Sequence, residues 1–307
     1  MDLAAIGAFG RRFEHLSVGE RDEVEGTEQA AGLVCWCTFH PAYGYEDFIE
    51  GFRPEQGAAG QLVFERRAGI FKTLCDLAER TPDRKFVLVV DEINRGDIPR
   101  IFGELLTLLE RDKRGLRLKL PLSGNSFTVP ANVYLIGTMN TADRSIALLD
   151  TALRRRFGFV ELMPDSSKLS GVSAGGVPLG PWLIALNDRL RTHLGRDARN
   201  LQVGHAYLLE DGRPVTDFAQ FVRVLAEDLV PLLEEYCYED YGALARILGP
   251  GLVDEAGQRI REELFTAGKT AELVQALLEP APDIVTTAAA ATPEEVEETP
   301  EMEESEA

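Results

Sequence analysis

The sequence predicts an α/β protein in two parts, a parallel sheet core followed by an all-helical region. Three observations predict it. FVLVV (86–90) and the run from about Val133 to Met139 are short, apolar and rich in branched residues. That is the composition of strands buried on both faces, as in a parallel sheet. Between them, IPRIFGELLTLLERD (98–112) has amphipathic helical spacing, with Pro99 in its first turn. From Trp182 to about Leu278 the spacing is mainly that of helices.

In chain order, residues 1–31 are rich in Gly and charge and hold no strand pattern. GLVCWCTF (32–39) reads as a strand, and HPAYGYEDFIEGFRP as a loop. QLVFERR (61–67) alternates as a short strand does, and GIFKTLCDLAERT (69–81) has helical spacing. The buried strand 86–92 follows, then the helix 98–112 and a hairpin around Ser123–Asn125. After the second buried strand, IALLDTALRRRF reads as a helix and FGFVEL (157–162) as a further strand. DSSKLSGVSAGGVPLG reads as a linker before the helices. The resulting division is 1–31, an N-terminal remnant or linker; 32–165, the α/β core; 166–181, a linker; 182–279, the helical subdomain; and 280–307, a tail.

The bulk numbers narrow the function classes. The 307 residues allow one large domain or two smaller ones. No apolar run approaches the ~18 residues of a membrane helix. Cys35, Cys37, Cys75 and Cys237 do not make a disulfide framework, and no CxxC or His pair completes a zinc site. A cytoplasmic, reducing setting is expected. Net charge is −19; from Asp283 to Ala307 there are nine acids and no base, so the rest of the chain carries −10. The tail reads as disordered, and the remainder argues against a broad phosphate-binding surface.

The chemistry collects at strand ends. Ligands of open parallel sheets sit beyond the carboxyl ends of the strands. There the first buried strand ends in Asp91 and Glu92. A carboxylate so placed suits magnesium, and its neighbour could orient or deprotonate a water. The second buried strand ends in TMN, which puts the amide of Asn140 at the same edge; the TADRS loop adds Asp143 and Arg144. ALRRRF places Arg154, Arg155 and Arg156 at a helix end, where cations suit the helix dipole or could reach a phosphate on a neighbouring subunit.

In this order, the acidic strand end (Walker B), hairpin, polar sensor and arginines resemble an AAA+ module. TFHPAYGYEDFIEGFRP, VVDEINRGDIPRIFGELLTLLE and MNTADRSIALLDTALRRRF are similar to the McrB-type GTPase subunit of methylcytosine-dependent restriction systems and its relatives. MNTADRS is a signature of that group, and LGRDARNLQVGHAYLL and LVPLLEEY resemble its lid; the likeness runs from about residue 33 to 250. The resemblance implies an AAA+ P-loop-type sheet with a helical lid, and hydrolysis of GTP or ATP with Mg²⁺. Asp91 would hold the metal, Glu92 would activate water, and Asn140 would be the first sensor. The arginine finger would be among Arg154, Arg155 and Arg156. Asp143 and Arg144 would lie near the nucleotide and the subunit interface, with Asn94 and Arg95 facing the neighbouring protomer. LPLSGNSFTVP would be a hairpin inserted before the sensor. His205 matches the lid's GH motif, or is a helix-packing histidine. A homo-oligomeric, hexameric ring, a McrC-like nuclease partner and only indirect contact with DNA are further implications.

One expected motif is not found. The family's glycine-rich loop, GxxxxGK[ST] (Walker A), would precede TFHP, but the first lysine is Lys72 and GAFGRR has the wrong spacing. AGKT (267–270) carries Glu263 where the motif needs its first Gly, in a helical context. The core therefore reads as incomplete, lacking its first strand and the loop whose N–H groups and lysine cradle phosphates. The resemblance places that strand between the sensor strand and FGFVEL, so two apolar edges are expected to stand open. Three readings follow: part of a McrB-like nucleoside-triphosphatase; a catalytically inactive AAA+ subunit that donates arginines or binds partner subunits; or a remnant without a stable fold.

Overall fold

The computed structural model describes residues 1–27, 31–56, 61–140, 151–195 and 198–284. They fall into two compact units, Met1–Val160 and Glu161–Ala307, each with its own buried core.

The first unit is built on three parallel strands, β1 (Val34–Thr38), β4 (Phe86–Asp91) and β7 (Val133–Gly137), in the order β1-β4-β7. The central strand is the apolar run: Phe86, Leu88, Val89 and Val90 are buried. Between β1 and β4 the chain forms a helical turn α3 (Tyr45–Phe48), an antiparallel ribbon β2 (Glu50–Gln56) and β3 (Leu62–Ala68), and helix α4 (Ile70–Arg80). Helix α4 buries Phe71, Leu74, Cys75 and Ala78, the i, i+3, i+4, i+7 spacing of one face. Phe48 stacks on Phe71 at 4.9 Å and lies 4.7 Å from Phe102, which closes the core beneath the ribbon.

Several boundaries differ from the sequence reading. Residues 1–31, expected as remnant or linker, contain helices α1 (Asp2–Phe9) and α2 (Val18–Glu25), and Ala5, Leu16 and Val24 are buried in the same core as the sheet. Ser17 and Glu20 start α2 with a reciprocal capping box. The expected loop after β1 contains β2, which tolerates Pro54 because a two-stranded ribbon leaves free edges. The helix expected over 98–112 is an α-helical turn, α5 (Ile98–Phe102), then 3₁₀ turns from Gly103 to Leu109 and Arg111 to Lys113. Gly103, at φ 52 and ψ −133, breaks the α-helical path. The hairpin around Ser123–Asn125 forms as read, between β5 (Leu118–Lys119) and β6 (Ser126–Phe127).

FGFVEL does not form a strand. After helix α6 (Thr151–Arg154) the chain from Gly158 to Asp165 has no regular structure; Val160 is 84% and Leu162 91% exposed. A strand needs a neighbour's backbone, and β7 is the last strand of the sheet among the described residues. Tyr134 and Ile136 of β7 are about half exposed.

In the second unit, the expected linker 166–181 belongs to the folded core. A 3₁₀ turn (Ser166–Leu169) and a hairpin, β8 (Ser173–Ala174) with β9 (Val177–Pro178), lead into α7 (Leu179–His193), and Leu169, Ala174 and Val177 are buried. Helices α8 (Phe218–Val224), α9 (Val230–Cys237), α10 (Tyr241–Leu248) and α11 (Thr270–Leu278) complete it around Trp182, Phe221, Leu233 and Ile247. Buried Asn187 is satisfied by Val203, donating to its carbonyl at 3.0 Å and accepting from its N–H at 2.7 Å. AGKT sits just before α11 with Lys269 as the N-cap residue, a helix start without a preceding strand. Residues 285–307, most of the acidic tail, lie outside the described residues.

Candidate active site

Asp91 is the last residue of β4, and Val90 pairs with Gly137, so the ends of β4 and β7 lie side by side. The backbone then turns sharply. Glu92 has φ 52 and ψ 44, a left-handed conformation that costs a non-glycine residue about 1–2 kcal/mol. Three bonds to Thr138, the residue just after β7, hold this turn. Thr138 donates its N–H to Val90, its carbonyl accepts Ile93 N–H at 2.9 Å, and its Oγ1 accepts Glu92 N–H at 3.3 Å. The same hydroxyl donates to Asp91 Oδ1. Ile93 lies so close over Gly137 that an added Cβ would come within 2.9 Å of its Cδ1.

The turn brings the predicted residues together. Asp91 is exposed. Glu92 is partly buried, and its Oε2 accepts Arg95 Nε–H at 3.1 Å. Asn94 donates from Nδ2 to the backbone carbonyl of Asn140 at 3.3 Å, and its Oδ1 is buried with no partner among the described atoms. Asn94 and Arg95, expected to face a neighbouring protomer, contact the Asn140 backbone and the acidic turn of their own chain, and the Arg95 side chain is 47% exposed. Both lie on the 3₁₀ turn Ile93–Arg95 that follows Glu92.

Asp143 and Arg144 lie outside the described residues. The three arginines divide. Arg156 donates to Glu110 at 2.6 Å and is mostly buried. Lys113 first, and Arg156 with it, hold the Glu110 carboxyl below its ordinary range. Arg154 and Arg155 are exposed at the end of α6, with Arg154 5.7 Å from the Phe159 ring centroid. His205 belongs to the second unit, where its Nδ1 accepts the N–H of Asp165 at 3.0 Å. Asp165 begins a turn whose Ser167 hydroxyl and N–H hold its carboxyl below its ordinary range.

The donor set fits a hard cation better than a soft one. Among the described residues no group of three or more His, Cys, Asp or Glu gathers at one point. A closed zinc-type site needs such a group, whereas magnesium takes one or two carboxylates and completes its shell with phosphate oxygens and water. Asp91, with one oxygen held by Thr138, meets that requirement. Burial pushes the Cys37 thiol up to about 11 and Cys75 higher still, which disfavours their thiolate forms.

Comparison with known proteins agrees with both units. Residues 34–157 match the AAA domain of the dynein-related subfamily, and residues 178–245 match the McrB alpha-helical lid domain. A relative from Escherichia coli (strain K12), the type IV methyl-directed restriction enzyme EcoKMcrB subunit, is 36% identical over 75% of this chain and 51% of its own length. The chain is a McrB-like AAA+ protein. A second relative, the type II restriction enzyme BsuMI component YdiS of Bacillus subtilis (strain 168), is 25% identical over 40% of this chain and 46% of its own length. The McrB-like chain thus spans about half the length of each of these curated relatives. Among its described residues no helix is long and apolar enough to cross a membrane.

The sequence reading missed Thr138. The signal was available: TMN puts a hydroxyl one register step beyond Gly137, opposite the acidic end of β4, two residues before the amide that was singled out.

Proposed function

We propose that this chain supplies the acidic, sensor and arginine parts of a nucleoside-triphosphate hydrolysis site, in the motor or regulatory subunit of a DNA restriction-type complex. The observation that carries the reading is the left-handed turn at Glu92, which joins Asp91, Glu92, Asn94 and the end of β7 at one sheet edge. In this reading Asp91 holds Mg²⁺, which when bound neutralises phosphate charge. Glu92 takes the proton of the attacking water once its carboxylate leaves Arg95. Asn140 orients that water or a phosphate oxygen, and Asp143 and Arg144 act at the same edge. The finger is Arg154 or Arg155, since Arg156 braces Glu110. The phosphate cradle belongs on a further parallel strand at the open edge of β7. Either GTP or ATP satisfies this chemistry. A homo-oligomeric ring and a McrC-like nuclease subunit are the partners the reading requires; His205 acts through the lid.

A second reading has its own observation. Arg154 and Arg155 are exposed while Glu92 is engaged by Arg95, as suits a subunit that lends arginines to a neighbour.

Hydrolysis of GTP and of ATP, measured separately on the chain and on Glu92→Gln, tests both. The expected loss in Glu92→Gln is about 10²–10⁴-fold in turnover. Equal turnover by the two proteins would sink the first reading. If the wild type is silent, the assay is repeated with a strand-and-GxxxxGKT segment fused upstream. Silence there too, with stimulation of an active relative that disappears in the Arg154→Ala, Arg155→Ala double variant, would establish the second.

A further inference from the structure

We infer that Thr138 is a positioning residue for the carboxylate pair, a role that rests on the hydrolytic reading above. Its hydroxyl does two things at once. It donates to Asp91 Oδ1, and it accepts the N–H of Glu92 at 3.3 Å. The donated bond restrains the Asp91 carboxylate through one oxygen and leaves its other oxygen outside that bond. The accepted bond satisfies an N–H that the left-handed turn withdraws from the sheet ladder. The backbone of Thr138 completes the clamp by bonding both sides of the turn, at Val90 and at Ile93.

Each part of this arrangement needs the hydroxyl as well as the strand. The β4–β7 ladder ends at Val90 and Gly137, so beyond it no sheet register orients Asp91 against β7. A residue that merely continued β7 would make the two backbone bonds and leave Asp91 free to rotate. Threonine adds a donor for the carboxylate and an acceptor for the next amide in one group. The consequence concerns metal affinity. Partners that hold a ligating carboxylate typically contribute about 10–100-fold in metal affinity or activity.

The test compares wild type, Thr138→Val and Thr138→Ser in the form of the protein that hydrolyses nucleotide. Three quantities are read: turnover, the Mg²⁺ concentration for half-maximal turnover, and hydrogen exchange at the Glu92 amide without nucleotide or metal. Valine keeps the shape and strand preference but removes the hydroxyl. It is expected to raise the half-saturating Mg²⁺ about 10-fold, lower turnover about 10–100-fold and speed exchange at Glu92. Serine restores the hydroxyl and is expected to recover all three. An active wild type matched by Thr138→Val in Mg²⁺ dependence and in exchange overturns the positioning role and leaves the hydrolytic reading standing. Equal damage by valine and serine overturns it as well, because the hydroxyl would not be the cause. A wild type silent in every form overturns the hydrolytic reading and the catalytic purpose of the clamp with it. Faster exchange in Thr138→Val would then show only a structural bond.

Discussion

The two units solve the burial problem differently. The helical unit surrounds Trp182, Leu186 and Phe221 on all sides, and even its buried Asn187 is fully paired. The sheet unit packs α4 and α5 into its core, but among the described residues β7 has a strand partner on one side only, and its Tyr134 and Ile136 are half exposed. Helices satisfy their own backbone groups, so a helical unit is finished once its apolar faces meet. A parallel strand satisfies only what its neighbours offer, so a sheet advertises where it continues. Asp91, Glu92, Asn94 and Asn140 lie in the sheet unit, at the ends of β4 and β7.

Three measurements would break or sharpen that contrast. The largest effect is expected from Trp182→Ala, which removes a fully buried ring from the closed core. A loss of about 3–5 kcal/mol is expected on chemical denaturation. Ile136→Lys, at the open edge, is expected to change stability by less than about 0.5 kcal/mol while lowering self-association in sedimentation. A loss comparable to that of Trp182→Ala would mean the edge is covered in solution. The smallest effect concerns Glu110, which ties Lys113 and Arg156 to the end of the 3₁₀ segment. Its carboxyl is held below its ordinary value near 4.5, so the folded state binds its proton less readily than the unfolded chain. The stabilisation is therefore complete above that value and is lost as pH falls through the lower folded pKa. Denaturation of Glu110→Gln between pH 6 and 3 is expected to show a shallower loss than wild type.

Strands β4 and β7 were legible as strands because their apolar runs are short and branched. But β7, read as buried on both faces, is an edge strand among the described residues, with Tyr134 and Ile136 half exposed. The placing of the acidic pair and Asn140 at one sheet edge was legible because they end or follow those runs. Three things could not be read. FGFVEL has the alternation of a strand, but pairing is non-local, and nothing among the described residues pairs with it. Residues 1–31 look polar, yet Ala5, Leu16 and Val24 suffice to seat two helices on the core. Arg154, Arg155 and Arg156 look alike in sequence; only the position of Glu110, 46 residues before Arg156, separates the buried brace from the exposed pair.

The sequence by itself determined the strand cores, the helical character of the second half and the order of the chemical groups. Local composition and spacing carry that information. Tertiary structure decided which of those groups meet. The anchoring of the left-handed turn at Glu92 and the Thr138 hydroxyl shared by the Asp91 carboxylate and the Glu92 N–H depend on β7 lying beside β4. That adjacency links residues nearly fifty apart, and no local pattern encodes it.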